Sequence, residues 1–257
     1  GEPLDRLVAE CTAALGIRLA PEQEAAVRAV LGGDRPVIVV TGGPGTGKST
    51  VARAIVDAFR AVSGDPIFLA APTGLAAKNL GHRCGMEGST LHRLLEASRD
   101  GPLTRFRRHA DNPLPRGLYV VDETSMVDLE LAAAFLAAVP EGSRICFLGD
   151  EDQLPPVGPG QFFTDLMASG RVTIVRLTTV YRQAQDSRIV RVAHEVRQGK
   201  MPAAFGEPDC VYRPVRGPEE AVQHVLALAE KSLVDGEPFV VLVPQRRGEY
   251  GAESINR

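Results

Sequence analysis

Residues 36–49 read Pro-Val-Ile-Val-Val-Thr-Gly-Gly-Pro-Gly-Thr-Gly-Lys-Ser, and the two halves of this stretch decide the fold. The first half, 36–41, is an unbroken apolar and β-branched run, the pattern of a strand buried on both faces. The second half, 42–49, fits G-x-x-x-x-G-K-[ST]. Phosphates have to be approached by several backbone N–H groups at once, and side chains would obstruct that approach. Glycines therefore dominate, and the helix that follows, from about Lys48 to Ala61, points its N-terminus at the anion. Gly43, Pro44, Gly45, Thr46, Gly47, Lys48, Ser49 and Thr50 are the expected phosphate cradle. Lys48 is expected on the β- and γ-phosphates, and the Ser49 hydroxyl on Mg²⁺.

Outward from this stretch, strand and helix patterns alternate. Strands are expected at 67–71, 118–122, 144–149 and 173–177, and helices near 74–80, 90–97 and 128–138, the last with Asp128 as its cap. Residues 1–35 read as helical, with Pro21 opening a helix that stops at Gly32-Gly33. Such alternation implies an α/β fold, a parallel sheet with helices on both faces. Residues 98–117, SRDGPLTRFRRHADNPLPRG, break the rhythm and read as an inserted subdomain. From about residue 180 a second α/β domain is expected, with a helix at 218–234 and a buried strand at 239–243. The division expected is thus 1–35, 36–179 and 180–257.

Composition narrows the class. The chain has 257 residues, Lys+Arg 29 against Asp+Glu 32 and a formal charge of −3, with 44% hydrophobic residues, which is ordinary for a globular protein. No apolar run approaches the roughly 18 residues of a membrane span. The N-terminal GEPLDR has neither the basic start nor the apolar core of a secretion signal. Four widely spaced cysteines and five scattered histidines match no zinc or redox pattern, and reduced thiols in a cytoplasmic protein are the expectation. The basic residues are overwhelmingly Arg, with Lys only at 48, 78, 200 and 231. Arginine suits local phosphate contacts, although a GC-rich genome produces the same bias.

Two acidic segments follow expected strands. Asp122 and Glu123 end the Val120-Val121 strand. A carboxylate there suits a water-mediated Mg²⁺ contact, and its neighbour can take a proton from an attacking water. Asp122 is therefore assigned to Mg²⁺ and Glu123 to the general base. Gln153, in GDEDQLPPVGPG at 149–160, is placed by the next strand on the same sheet edge, in reach of a γ-phosphate or water. A solvated Pro/Gly loop is the other reading of that segment.

The ordered set GGPGTGKST, APTG (71–74), STLHRLL (89–95), VVDETSMVD, GDEDQLPPVGPG and VYRQ (180–183) resembles the superfamily-one DNA helicases of the RecD-like branch, related to the alpha subunit of exodeoxyribonuclease V. The resemblance covers about residues 15–257. It implies RecA-like domains with ATP bound between them, and ATP-driven 5′→3′ movement on single-stranded DNA in recombination or repair. By its motifs it implies that Gln23 contacts adenine, against the alternative of a solvated glutamine in a first helical turn. Pro72, Thr73, Gly74, Thr90 and His92 contact the DNA strand. Gln153 couples γ-phosphate to DNA, and Arg182 reaches the γ-phosphate from the second domain. The insertion stands where RecD-like proteins carry a β-hairpin that splits the duplex fork, and Arg107 and Arg108 are its candidate phosphate contacts, against the alternative of a solvated basic loop. The helix near 186–198 places Arg188, Arg191 and Arg197 near one face, expected to be solvated, with a DNA contact as the alternative.

The family pattern continues past residue 257, through a Thr-x-His-x-x-Gln-Gly-like block and a further arginine. The second RecA-like domain is accordingly expected to be incomplete here. Two activities fit this reading: an autonomous DNA helicase or translocase, or a nucleotide-gated DNA-binding subunit that unwinds only with other recombination or repair subunits. The expected partners are single-stranded DNA and a duplex fork, and no membrane.

Overall fold

The computed structural model describes residues 6, 8–10, 13, 16, 18–100, 103–179, 187–203, 205–206, 209–236, 239–243, 245–249 and 251–256. The chain divides into two compact units, 1–201 and 202–257.

The first unit is built on a six-stranded sheet. Its strands are β1 (Val37–Gly42), β2 (Ile67–Ala71), β3 (Gly88–Thr90), β6 (Leu118–Val121), β7 (Arg144–Gly149) and β8 (Thr173–Leu177). The order is β3-β2-β6-β7-β1-β8, and every pairing is parallel. Helices α1 (Pro21–Gly32), α2 (Lys48–Val62), α3 (Gly74–Cys84), α4 (Leu91–Leu94), α5 (Leu129–Ala138) and α6 (Phe162–Ala168) cover it.

The two-residue period of the strands splits the core into two layers. Ile38, Val40, Leu118, Val120, Cys146 and Leu148 pack with Val27 and Val30 of α1 and Ile55 and Phe59 of α2. Their alternates Val39, Tyr119, Val121, Ile145 and Phe147 pack with Leu131 and Phe135 of α5 and Phe162 and Met167 of α6. A chain of edge-on aromatic contacts, Tyr119–Phe135–Phe147–Phe162, runs through the second layer. Both faces of the sheet are therefore closed by apolar side chains, and only strand ends are left for polar chemistry.

The strands at 67–71, 144–149 and 173–177 fall on the expected residues, and Asp128 caps α5 by accepting from Leu131 N–H at 2.8 Å. The helix expected at 90–97 is shorter. Ser89 and Thr90 pair with Ala70 and Ala71 as β3, which leaves only Leu91–Leu94 helical. Pairing with the preceding strand β2, across α3, overrode the local helical pattern. Helix α6 was not anticipated from the sequence.

The insertion is a β-hairpin, β4 (Ala97–Asp100) antiparallel to β5 (Leu103–Phe106). Following 180–186, which lie outside the described residues, α7 (Arg188–Arg197) belongs to the first unit.

In the second unit α8 (Pro218–Asp235) ends at Gly236, whose φ of +70° closes the helix in the left-handed form. The strand expected at 239–243 is absent: these residues form no ladder, and Val240 and Leu242 are exposed. A β-branched run becomes a strand only where a neighbour takes its N–H and C=O groups, and the described residues of this unit supply none. A short helix, α9 (Ala252–Ile255), follows.

Candidate functional site

Parallel strands put their carboxyl ends on one edge, and that edge is where open α/β sheets bind ligands. The register pairs Thr41 with Gly149 and Val121 with Phe147, so the loops after β1, β6 and β7 emerge side by side. The phosphate loop, the acidic pair and the Gln153 loop, far apart in sequence, meet there.

The loop from Gly42 to Gly47 is shaped by close approach. A methyl group on Gly42 would lie 2.6 Å from Thr46 Oγ1 and 2.9 Å from the Leu177 carbonyl. Gly45 and Gly47 have φ of +79° and +83°, the left-handed region that glycine enters without penalty. Thr46 is buried and donates from Oγ1 to the Gly43 carbonyl at 2.8 Å. Lys48 Nζ donates to the carbonyls of Gly42 and Gly43. Its ammonium is thus held inside the curl of the loop, where a phosphate would be met.

A cavity of about 760 Å³ opens on this curl, lined among others by Lys48, Ser49, Thr50, Asp122, Glu123 and Gln153. The assigned groups are therefore gathered in one space. Burial pushes the Asp122 carboxyl above its usual range, against the Glu123 N–H bond at 2.8 Å and the positive charges of Lys48 and Arg83. Glu123 is also raised, by burial and then by the neighbouring Asp122 charge, with Lys48 and a hydrogen bond to Gln153 acting the other way. A carboxylate held above its ordinary range is a better proton acceptor, as the base assignment requires. Glu123 has φ of +52°, one of two described non-glycine residues in the left-handed region. That backbone turn swings its carboxyl out of line with β6 and into the cavity.

Gln153 Oε1 accepts from Ser125 Oγ at 3.2 Å, which ties the loop after β7 to the turn after β6. Gln23 is 1% exposed. Its Nε2 donates to the Thr46 carbonyl at 3.3 Å and its Oε1 accepts from Ala20 N–H at 3.0 Å, so it fastens α1 to the phosphate loop.

Ser49 Oγ and the Asp122 carboxylate are hard oxygen donors on one cavity wall. They suit Mg²⁺, which takes one or two protein ligands and completes its shell with water and phosphate oxygens. Among the described residues no group of three or more His, Cys, Asp or Glu is arranged to hold a metal.

Sequence reasoning passed over Arg83, from the last turn of α3. Its guanidinium donates to Ser49 Oγ and it lines the same cavity. Nothing in its sequence neighbourhood marks it. Arg197 is exposed, as expected, and in addition ion-pairs with Asp152 and lines the cavity beside Gly43 and Lys48. Helical periodicity shows which residues share a face but not what the face meets. Arg182 lies outside the described residues.

The two motifs assigned to DNA are neighbours. Ala71 pairs with Thr90, so Pro72-Thr73-Gly74 and Leu91-His92 leave adjacent strands at one level. Thr73 caps α3, accepting from Ala76 N–H at 3.3 Å, and Thr90 caps α4, accepting from Arg93 N–H at 3.1 Å. A cavity of about 360 Å³ is lined by Gly74, Lys78, His82, Thr90 and Arg93. His92 is exposed, its ring 6.0 Å from that of Phe106 in the hairpin.

The two hairpin arginines differ. Arg107 is exposed. Arg108 donates from Nε and Nη2 to Glu96 at 2.8 and 2.6 Å and from Nη1 to the Pro113 carbonyl at 3.2 Å. It braces the base of the insertion, and its donors are largely committed to that task.

A glycine-rich loop at the carboxyl edge of a wholly parallel sheet, facing an acidic pair and a glutamine, defines a P-loop nucleotide-binding protein of RecA-like fold. The AAA domain family model matches residues 18–209. The ATP-dependent RecD2 DNA helicase of Deinococcus radiodurans is 39% identical over 91% of this chain and 31% of its own length. The RecBCD enzyme subunit RecD of Mycolicibacterium smegmatis is 39% identical over 92% of this chain and 49% of its own. The crystal structure of Pif1 helicase from Candida albicans superposes with a TM-score of 0.54 at 22% identity, over 89% of this chain and 57% of that one, and shares the fold. The chain belongs to the AAA domain family. It spans 31% and 49% of the length of these two relatives.

Proposed function

We propose that this chain is the ATP-binding part of a DNA helicase or translocase that moves 5′→3′ on single-stranded DNA in recombination or repair, in the cytoplasm. The observation that carries the reading is the single cavity shared by Lys48, Ser49, Asp122, Glu123 and Gln153. Thr73 and Thr90, which the motifs assign to DNA, lie on adjacent strand ends and support the reading. The relatives' names, an ATP-dependent DNA helicase and a RecBCD subunit, support the same reading.

In this reading the phosphate-loop amides and Lys48 hold the β- and γ-phosphates. Ser49 and Asp122 would hold Mg²⁺, which would supply neutralising charge to the phosphates. Ser49 would give up its bond from Arg83 to serve as that ligand. Glu123 accepts a proton from the attacking water, and Gln153 senses the terminal phosphate. Gln23 keeps the loop in register with α1, and its adenine contact is part of the proposal. The second RecA-like domain expected from about residue 180 begins, in this reading, after α7, from about residue 202, and Arg182 completes the site. Pro72, Thr73, Gly74, Thr90 and His92 hold the strand, with Arg107 and Arg108 near the fork.

The test is the ATPase of the complete protein with and without single-stranded DNA. Lys48→Ala is expected to remove the DNA-stimulated activity; undiminished stimulation refutes the site. Unwinding of a 5′-tailed duplex by the purified protein alone separates an autonomous motor from a subunit that works only in a complex.

A further inference from the structure

Arg197 closes α7 with its guanidinium over the phosphate loop. It is ion-paired with the Asp152 carboxylate. Nη1 is so close to Gly43 that a methyl group there would collide with it. Arg197 also lines two cavities that meet at the loop. One is the space of about 760 Å³ holding Lys48, Glu123 and Gln153. The other, of about 700 Å³, is walled by Thr41, Pro44, Arg176 and His194.

The Asp152 side chain is 41% exposed and that of Arg197 34%, so the pair is a solvent-screened one that contributes little. Other charged groups of this corner also have partners. Glu151 pairs with Arg176 at 3.3 Å, Lys48 sits on backbone carbonyls, and Arg83 holds Ser49 on the far wall. Of these cations, Arg197 is the one that lies over Gly43, lines the cavity of Glu123 and Gln153, and holds a solvent-exposed carboxylate. A terminal phosphate offers it more: greater charge, and paired oxygens that match the planar fork of a guanidinium. Arg197 shares its cavity with Glu123 and Gln153, the groups assigned to the attacking water, so it stands at the end of the site where bond cleavage occurs.

We propose that Arg197 is a γ-phosphate contact, exchanging the Asp152 carboxylate for the terminal phosphate of a bound nucleoside triphosphate, and that it thereby discriminates triphosphate from diphosphate. This rests on the reading of the loop as a nucleotide seat.

The experiment measures binding of a fluorescent, non-hydrolysable ATP analogue and of fluorescent ADP, with Mg²⁺, to this chain and to its Arg197→Gln, Arg197→Lys, Asp152→Asn and Lys48→Ala variants, each checked for folding by thermal melting. Losing a charge-assisted contact costs about tenfold in affinity or more. Arg197→Gln is expected to weaken the triphosphate by that factor and the diphosphate by less than about twofold. Arg197→Lys should recover part of the loss, and Asp152→Asn should leave the triphosphate as tight or tighter. Equal loss of both nucleotides, no loss, or tighter triphosphate binding in Arg197→Gln overturns the proposal. Failure of the underlying reading looks different: the unaltered chain and Lys48→Ala would then bind both nucleotides alike, or neither.

Discussion

Ser125 donates its hydroxyl to Gln153 Oε1 at 3.2 Å, across two loops that leave different strands. This bond fixes the glutamine amide beside Glu123 and makes Ser125 a positioning group for it. Ser125→Ala should leave nucleotide affinity within about twofold but lower the DNA-stimulated ATPase several-fold, because a lost neutral hydrogen bond is worth about 1 kcal/mol. Gln153→Ala should reduce it further. Steady-state ATPase titrated with single-stranded DNA checks both, and an unaltered stimulation in the two variants would remove Gln153 from the coupling role.

Asp122 and Glu123 both have carboxyl groups raised by burial. A carboxyl raised in the folded state binds its proton more tightly there than in the unfolded chain. Its favourable contribution is complete below the unfolded value and is lost as pH rises through the folded one. At neutral pH the ionised pair therefore costs stability. Asp122→Asn, which keeps the oxygen that accepts from Glu123 N–H, should raise the melting temperature at pH 7 by about 2–4 °C for each kcal/mol recovered. The gain should shrink toward pH 4, while ATP hydrolysis is lost. Melting curves across that pH range decide it; a lower melting temperature at pH 7 contradicts the burial argument.

Glu123→Gln should keep nucleotide binding and slow hydrolysis by about 10²–10⁴-fold, the range for a general base. The raised carboxyl also sets the acid limb of the pH–rate profile above the ordinary Glu value, which single-turnover rates between pH 4 and 8 would show.

Arg107 and Arg108 are adjacent but differently employed. Arg107→Ala should weaken binding to a forked DNA and leave the melting temperature unchanged. Arg108→Ala removes three hydrogen bonds at the base of the hairpin and should lower the melting temperature by a few degrees, at about 1 kcal/mol or more of lost bonding. Equal effects of the two on both readouts would argue against this division.

A phosphate-tracking protein releases counterions when it binds. The affinity of the complete protein for single-stranded DNA should fall linearly on a log–log plot against salt, with a slope of about −0.7 for each phosphate neutralised. An affinity that hardly changes between 50 and 200 mM salt (about a 10³-fold change is the usual scale for many contacts) would exclude the basic track.

Much of this was legible from local chemistry. The glycines of the loop, the apolar runs of β1, β2, β7 and β8, and the Asp128 cap each answer to a rule acting over a few residues. The acidic pair and Gln153 were legible as site residues because each follows a strand, and strand ends on one edge converge. The strand expected at 239–243 and the length of the helix after Thr90 were misjudged because pairing partners are not written in the strand itself.

By itself the sequence determined the alternating architecture and the identity of the groups gathered around the glycine-rich loop, since backbone geometry, strand burial and helix capping are short-range. Tertiary structure alone decided that Arg83 and Arg197 face the phosphate loop, that Gln23 is buried against Thr46, and that Arg108 is spent on Glu96 and Pro113. A long flexible side chain takes whatever partner the packing of distant elements presents, and no periodicity within its own helix specifies that partner.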